Sequence, residues 1–271
     1  MSLLLCRQED VTSPYYVEDL GISLYSSQEL SYVVYQYPLL VMDGFVGERL
    51  LEFLRDQLNQ GFLALKLERW IKSGGDPDET LIMILQECDY YSPTEISAYR
   101  QKVAGLRKKH PAEYGKMKAD MLFSMRQYAR AAARYQELLE LPDDAVSDER
   151  FRGCVLNDLG ACYARMFQTG RAFEAFEGAY ARLPDEKVLK HLYFLTKIDP
   201  ALTLGDRLKA MVTGELAEKW DSEIQSAREA AEQSEQVAGL KRLFGRDPIK
   251  RQAGEAGLLK RWKQEYRAMM R

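Results

Sequence analysis

Residues that bind metals or form disulfides are scarce in this chain of 271 residues. Its histidines and cysteines are scattered, at Cys6, Cys88, His110, Cys154, Cys162 and His191. They form no CxxC, no HExxH and no other spacing typical of metal ligands. Cys154 and Cys162 are about two helical turns apart, too far for joint ligation. We therefore expect no metal and no cofactor, and the isolated thiols favour a reducing, cytoplasmic setting.

Motifs that bind phosphate or activate a nucleophile are absent as well. The chain has no GxxxxGK[ST] and no GxSxG. Gly74-Gly75 precedes a predicted helix whose N-terminus could bind an anion, but Asp76, Asp78 and Glu79 would repel one. Because nothing in the sequence supports catalysis, the chain is not predicted to be an enzyme.

Long hydrophobic runs are also missing. The longest clear run, Leu81–Leu85, is far shorter than the roughly 18 residues that cross a bilayer. The N-terminus has no basic segment ahead of a long apolar region, so we expect no signal peptide. Taken alone, Leu81–Leu85 could be a buried strand, but the acidic residues ahead of it favour the start of a buried helix.

Charge is divided unevenly along the chain. From Leu240 to Arg271 there are ten Lys or Arg and three Asp or Glu, a net charge of +7. Because the whole chain carries −3, residues 1–239 carry −10. This basic tail could dock on the acidic body, on an anionic membrane or on nucleic acid, or it could be a solvated helix that keeps the chain in solution.

Helical patterns dominate after the first 25 residues, so we expect a mostly all-α fold. Before them, Tyr15–Glu18 and Ile22–Tyr25 flank a turn and, with Leu3–Cys6, predict a small hairpin or short strands. Apolar spacing predicts a helix from Val46 to Leu58, ended by Asn59.

Two further helices are predicted near the C-terminus. A long one is capped by Thr213 and runs to about Ala238. The last begins at about Glu255, after interruptions at Asp247-Pro248 and at Gly254.

A repeated pattern occupies the middle of the chain. Its best unit comprises Leu156, Leu159, Gly160, Tyr163, Ala172, Phe176, Ala179 and Pro184. This unit resembles the tetratricopeptide repeat, a pair of antiparallel helices in about 34 residues. In such a pair Gly160 and Ala172 would be small because the helices cross closely there, and Pro184 would end the second helix.

Weaker units flank the best one. Upstream, the second-helix positions are matched by Tyr128, Ala131, Tyr135 and Leu138. Ala131 and Ala172 are 41 residues apart rather than 34, an excess that the loop at residues 143–149 absorbs. Downstream, Lys187–Ile198 begins a third unit without the Leu-Gly pair. The resemblance covers about residues 112–200.

The resemblance implies an α-α superhelix of antiparallel helical hairpins and a division into three parts. Residues 1–110 form an N-terminal helical region with short strands. Residues 111–200 form the repeats. Residues 201–271 form a helical cap and a basic amphipathic tail.

The resemblance also implies a function, because such stacks bind partner peptides on a concave face lined by first-helix side chains. By family position, the candidate residues are Lys116, Asp120, Phe123, Asn157, Ala161, Ala164, Arg165 and His191. One subfamily clamps a terminal carboxylate with Lys, Asn and Arg, but Asp120 stands where Asn is wanted. We expect a non-catalytic protein–protein interaction scaffold that binds an unidentified protein or peptide, unless these polar residues are merely solvated.

The basic tail offers an alternative function, peripheral recruitment to a membrane or to nucleic acid. Its candidate residues are Lys260, Arg261, Lys263 and Arg267. The other side of the same helix is apolar and comprises Leu258, Leu259, Trp262, Tyr266, Met269 and Met270. The acidic body disfavours nucleic acid. We expect the apolar side to pack on that body or on a second protein rather than on a membrane.

Overall fold

Helix dominates the structure, as the sequence predicts. The computed structural model describes residues 9–144, 146–245 and 247–270, so the predicted strand at Leu3–Cys6 lies outside the described residues. The strands in this part are β1 (Tyr15–Val17) and β2 (Ile22–Leu24). The helices are α1 (Ser27–Gln36), α2 (Pro38–Val41), α3 (Glu48–Glu52), α4 (Gly61–Lys72), α5 (Pro77–Glu87), α6 (Pro93–Arg107), α7 (Pro111–Ser124), α8 (Tyr128–Leu139), α9 (Glu149–Arg165), α10 (Thr169–Arg182), α11 (Glu186–Ile198), α12 (Asp206–Met211), α13 (Gly214–Glu232), α14 (Glu235–Phe244) and α15 (Pro248–Met269).

The chain divides into two compact units, Met1–Met121 and Leu122–Arg271. The predicted division at residues 110 and 200 follows the repeat pattern instead and stays a prediction. Within the ranges that the structure describes, no helix combines the length and the apolar character needed to cross a membrane.

The N-terminal hairpin confirms the predicted strands and turn. β1 and β2 pair antiparallel, with Tyr15 opposite Leu24. The Leu20 amide donates to the Val17 carbonyl oxygen at 3.2 Å, and Gly21 has a φ of +67°, which glycine adopts without steric cost. Val17 and Leu24 are buried, so one face of the hairpin packs on the core.

The apolar run Leu81–Leu85 is helical, and its strand alternative is wrong. All five of its residues are buried within α5. The helix starts where the sequence places its signals. The Asp76 carboxylate accepts from the Asp78 amide at 2.9 Å, and Pro77 is the first helical residue.

The predicted helix from Val46 to Leu58 is shorter and less regular than expected. α3 passes into a π-helical turn at Phe53–Gln57, where the Leu58 amide donates to the Phe53 carbonyl oxygen, five residues back, at 3.1 Å. Phe53 is buried in this wider turn. The predicted end at Asn59 is confirmed, because that residue has a φ of +51°.

A charged cluster joins three helices of the N-terminal unit. Arg107, the last residue of α6, donates to Asp78 of α5 and to Asp43, in each case at 2.9 Å. Tyr114 of α7 donates its hydroxyl to Asp43 at 2.9 Å. Burial raises the pKa of Asp43, but the hydrogen bonds from Tyr114 and Arg107 outweigh it and hold that pKa below its usual value. The carboxylate therefore stays ionised and ties these helices together.

In the C-terminal unit, α8 to α11 pack in sequence order, each antiparallel to the next. Three contacts join opposite ends of consecutive helices: Arg152 in α9 with the carbonyl oxygen of Leu139 in α8 (2.6 Å), Arg182 in α10 with Glu149 in α9 (3.1 Å), and Thr169 in α10 with Asp199 after α11 (2.6 Å). Consecutive packed helices of this kind are consistent with a helical repeat.

α13 covers α11 and begins at the predicted cap. The Thr213 hydroxyl accepts from the Leu216 amide at 3.3 Å. Trp220 is fully buried, its ring 5.4 Å from that of Tyr193 in α11, and the Tyr193 hydroxyl donates to Asp221 at 2.9 Å. These contacts close the end of the helical series.

Two predictions about the C-terminal helices are wrong. The helix from Thr213 ends at Glu232 instead of Ala238, because Ser234 caps a separate helix, α14, by accepting from the Val237 amide at 3.3 Å. The interruption predicted at Gly254 does not occur. α15 runs through this glycine, which lies so close to Leu243 of α14 that a larger side chain would have to displace the end of the Leu243 side chain.

Candidate partner-binding site

The predicted partner-binding residues fall in both compact units. Lys116 and Asp120 lie on α7 in the N-terminal unit, where the Lys116 ammonium is 2.9 and 3.0 Å from the two Asp120 carboxylate oxygens. Asn157 and Arg165 lie on α9, and His191 on α11, in the C-terminal unit. Because Lys116 already has an anionic neighbour, this pair does not match the carboxylate clamp of that subfamily.

A tight turn ends α9 and leads into α10. Phe167 has a φ of +60°, and its amide donates to the Ala164 carbonyl oxygen at 3.1 Å. The Gln168 amide donates to the Tyr163 carbonyl oxygen at 2.9 Å. Together these bonds form a Schellman motif, which satisfies carbonyl groups at a helix end.

The turn between α7 and α8 has the same geometry. Arg126 has a φ of +62°, its amide donates to the Phe123 carbonyl oxygen at 2.9 Å, and the Gln127 amide donates to the Leu122 carbonyl oxygen at 2.9 Å. Each of these residues stands 41 positions before its counterpart in the turn after α9. The two turns are therefore structural repeats of each other.

Sequence reasoning missed a motif that marks both turns. Met-x-Gln-x-x-Arg-Ala occurs at residues 125–131 and again at residues 166–172. Its alanines, Ala131 and Ala172, are the repeat positions already identified, and both are fully buried. Aligning the chain on these alanines, rather than on the 34-residue period, would have found the motif.

Phe176 of α10 lies between α9 and α11. A Cβ atom on Gly160 of α9 would be 2.8 Å from the Phe176 ring, so only glycine fits without a shift. On the other side, the ring centroids of Phe176 and His191 of α11 are 4.9 Å apart. The close approach predicted at Gly160 is present, and its nearest neighbour is the Phe176 ring, which fills the space that glycine leaves.

Asn157 and His191 each carry a buried polar atom with an unmade hydrogen bond. Within the described part of the chain, Asn157 Oδ1 and His191 Nδ1 have no hydrogen-bond partner. Burial, with a further contribution from Lys190, lowers the pKa of His191 against the opposing effect of Asp185, so its imidazole is neutral near pH 7. The two residues are 34 positions apart, on α9 and α11.

Tyr163 connects three consecutive helices. Its hydroxyl accepts from Gln136 Nε2 of α8 at 3.0 Å and from Arg171 Nη2 of α10 at 2.7 Å. The Arg171 guanidinium also lies 4.2 Å from the centroid of the Tyr163 ring. Burial raises the pKa of Tyr163, so the hydroxyl stays protonated. Tyr163 thereby fixes the end of α9 from which Arg165 extends.

Arg165 lines an open groove of about 570 Å³. This Arg165 groove is defined here by Phe123, Tyr128, Ala164, Arg165, Phe167 and Met269. The predicted candidates Phe123, Ala164 and Arg165 are therefore brought together. Phe167, which the sequence reasoning missed, is 79% exposed beside them. The sequence signal that could have identified Phe167 is a large aromatic residue in a turn between two predicted helices.

The four basic residues predicted in the tail all lie exposed on α15. Arg261 Nε is 3.8 Å from the Glu265 carboxylate one helical turn later. Lys260, Lys263 and Arg267 make no ion pair with any residue that the structure describes. These three cations of α15 are therefore uncompensated within the part of the chain that the structure describes.

Comparison with known proteins assigns no family. No protein-family model matches the chain, and neither a curated protein nor a solved structure matches it at a significant level. Across the described ranges, no group of three or more His, Cys, Asp or Glu residues could hold a metal ion.

Proposed function

We propose that this chain is a tetratricopeptide-like adaptor that binds a segment of a partner protein on its C-terminal unit. The observation that carries the proposal is the pair of Schellman turns 41 residues apart, each leading into a helix with a buried alanine at the same position. A duplicated turn and helix pair is the unit from which such repeats are stacked.

The bound segment would lie along the first-helix side chains. Asn157 and His191 offer unsatisfied polar atoms at equivalent positions, which can pair with the N–H and C=O groups of a peptide once they are uncovered. Between them, Ala161 and Ala164 are small and leave room for a ligand backbone. An adaptor of this kind is non-catalytic and would act in the cytoplasm.

The Arg165 groove suggests the chemistry of one contact. It combines an exposed guanidinium with the aromatic side chains of Phe123 and Phe167. A carboxylate would pair with Arg165, and a neighbouring apolar side chain would pack on the aromatic rings. We propose a partner segment that carries an acidic residue beside an apolar one.

The test removes binding groups without disturbing the fold. Asn157→Ala combined with Arg165→Ala should leave stability within about 1 kcal/mol, as for substitutions outside the core. Recovery of proteins that co-purify with the intact chain should fall severalfold. The matched control is Arg150→Ala combined with Glu177→Ala, two exposed positions on α9 and α10 away from the groove. Equal recovery by both double variants would place the binding surface elsewhere.

A further inference from the structure

The last helix leaves a stripe of large apolar side chains in solvent. The exposed fractions are 51% for Leu259, 44% for Trp262, 43% for Tyr266 and 37% for Met270. These residues recur every three or four positions, so they share one side of α15. We call these four residues the exposed stripe.

Within the C-terminal unit the exposed stripe is largely uncovered, and only Trp262, at its edge, lines the groove between α14 and α15. Leu258, on a neighbouring side of α15, is half-buried and lines a groove with Leu243 and Gly254. Met269 is half-buried and lines the Arg165 groove. Of the two expected arrangements, packing of the whole apolar side on the body is not seen, because only its edge is half-buried, and packing on a second protein stays a prediction.

Cations border the exposed stripe. At about 100° per residue, its four side chains span roughly 80° of the helix surface, and Lys263, Arg267 and Lys260 follow within roughly the next 80°. All three are exposed and form no ion pair in the described chain. The one acidic residue between Leu258 and Met270 is Glu265, which lies beside Arg261.

We propose that α15 docks on the surface of an anionic lipid bilayer. Leu259 and Met270 would enter the boundary between headgroups and acyl chains, and Trp262 and Tyr266 would place their rings there with their polar atoms toward water. Lys263 and Arg267 would contact lipid phosphates. This inference does not depend on the repeat or its partner.

The charges favour lipid over the competing occupants. A second copy of α15 would bring Lys263 and Arg267 against the same cations of its partner, with no free acidic residue to balance them. The phosphates of a nucleic acid would pair with these cations, but Leu259 and Met270 would stay in water. Because residues 1–239 carry −10, an anionic bilayer would attract the tail and repel the body, which confines contact to α15.

The first experiment measures co-sedimentation of the full chain with vesicles. Vesicles of phosphatidylcholine with about one-third phosphatidylglycerol should bind the chain, and pure phosphatidylcholine should bind roughly tenfold more weakly. Added salt should weaken the binding by screening. No binding to the anionic vesicles, or equal binding to both kinds, would overturn the proposal.

Paired variants test the exposed stripe and the cations separately. Leu259→Ser with Tyr266→Ser, and independently Lys263→Gln with Arg267→Gln, should each weaken vesicle binding by roughly tenfold. The controls are Phe62→Ser with Leu65→Ser, which removes exposed apolar residues of α4, and Arg207→Gln with Lys209→Gln, which removes the same charge from α12. Controls that weaken binding as much as the test variants would contradict docking through α15.

Tryptophan fluorescence detects contact of α15 with the vesicle directly, so a folding defect in a variant does not decide the result. Tryptophan emission should shift to shorter wavelength on vesicle binding, and Trp262→Phe should abolish most of the shift while leaving vesicle binding within about twofold.

Analytical ultracentrifugation tests whether a second copy of the chain binds the exposed stripe, and titration with a single-stranded oligonucleotide tests whether nucleic acid does. A dimer or an oligonucleotide complex that Leu259→Ser with Tyr266→Ser disrupts, without vesicle binding by the intact chain, would assign the exposed stripe to that occupant instead.

Discussion

The α9–α10 pair and the α14–α15 pair use glycine in the same way but end in different environments. Gly160 allows Phe176 close to α9, and Gly254 allows Leu243 close to α15. The first pair is covered by α8 on one side and α11 on the other, whereas the second leaves Trp262 and Tyr266 in solvent. Close helix contact therefore forms a hairpin, but only stacking of further helices forms a core.

The largest difference in stability should come from replacing Trp220 of α13 and Trp262 of α15. Trp220→Ala should destabilise the protein by roughly 3–5 kcal/mol, because the fully buried ring packs on Tyr193 and leaves a cavity. Trp262→Ala should change stability by less than about 1 kcal/mol, because the side chain is 44% exposed and only lines the groove between α14 and α15. Urea unfolding of both variants measures the contrast. Similar losses would mean that α15 is packed as tightly as α13.

Gly160→Leu should have the next largest effect. Its side chain would collide with the Phe176 ring, and overpacking of this kind costs roughly 1–3 kcal/mol. Gly170→Leu is the control, since a Cβ atom there meets no other atom within 4 Å. Thermal melting of the two variants gives the difference. If Gly160→Leu melts at the parent temperature, α9 and α10 do not cross at this glycine.

The smallest expected effect is on the pH dependence of stability, and it comes from the His191 side chain. Its folded-state pKa lies below the unfolded value of about 6.5, so the unfolded chain binds a proton more readily. This contribution to stability is fully present above about pH 6.5 and is lost as pH falls through the folded-state pKa. His191→Asn should remove that part of the pH dependence in unfolding measured from about pH 7.5 to 5.5. An imidazole that titrates at or above 6.5 by NMR would contradict the burial of this ring.

Local signals predicted local structure well. Ser92 and Glu95 have the sequence spacing of a capping box and form one at the start of α6, and the predicted turn between β1 and β2 lies where Gly21 permits it. These features depend on a few adjacent residues, so neighbouring positions in the sequence suffice. The pairing of α9 with α10 was equally visible, because the small residues Gly160 and Ala172 fall at buried positions, although the contact of Gly160 with Phe176 was not anticipated.

Features that depend on tertiary packing were missed. The π-helical turn at Phe53 leaves the apolar spacing almost unchanged, so periodicity alone cannot detect it. Ser234 starts a new helix inside a polar stretch that also fits one long helix. Phe167 belongs to the Arg165 groove only because the turn after α9 points it there. In each case the structure depends on a residue distant in the chain or on the local backbone geometry.

The sequence-order packing of α8 to α11 has a kinetic consequence. Each of these helices finds its principal partners among its immediate neighbours in the chain, so little loop closure is needed before contacts form. Folding of this segment should be fast and should propagate from the α9–α10 pair outward. Amide hydrogens of α9 should therefore exchange with solvent most slowly, and those of α15 most rapidly, which makes the terminal helix the element most readily rearranged without unfolding the rest.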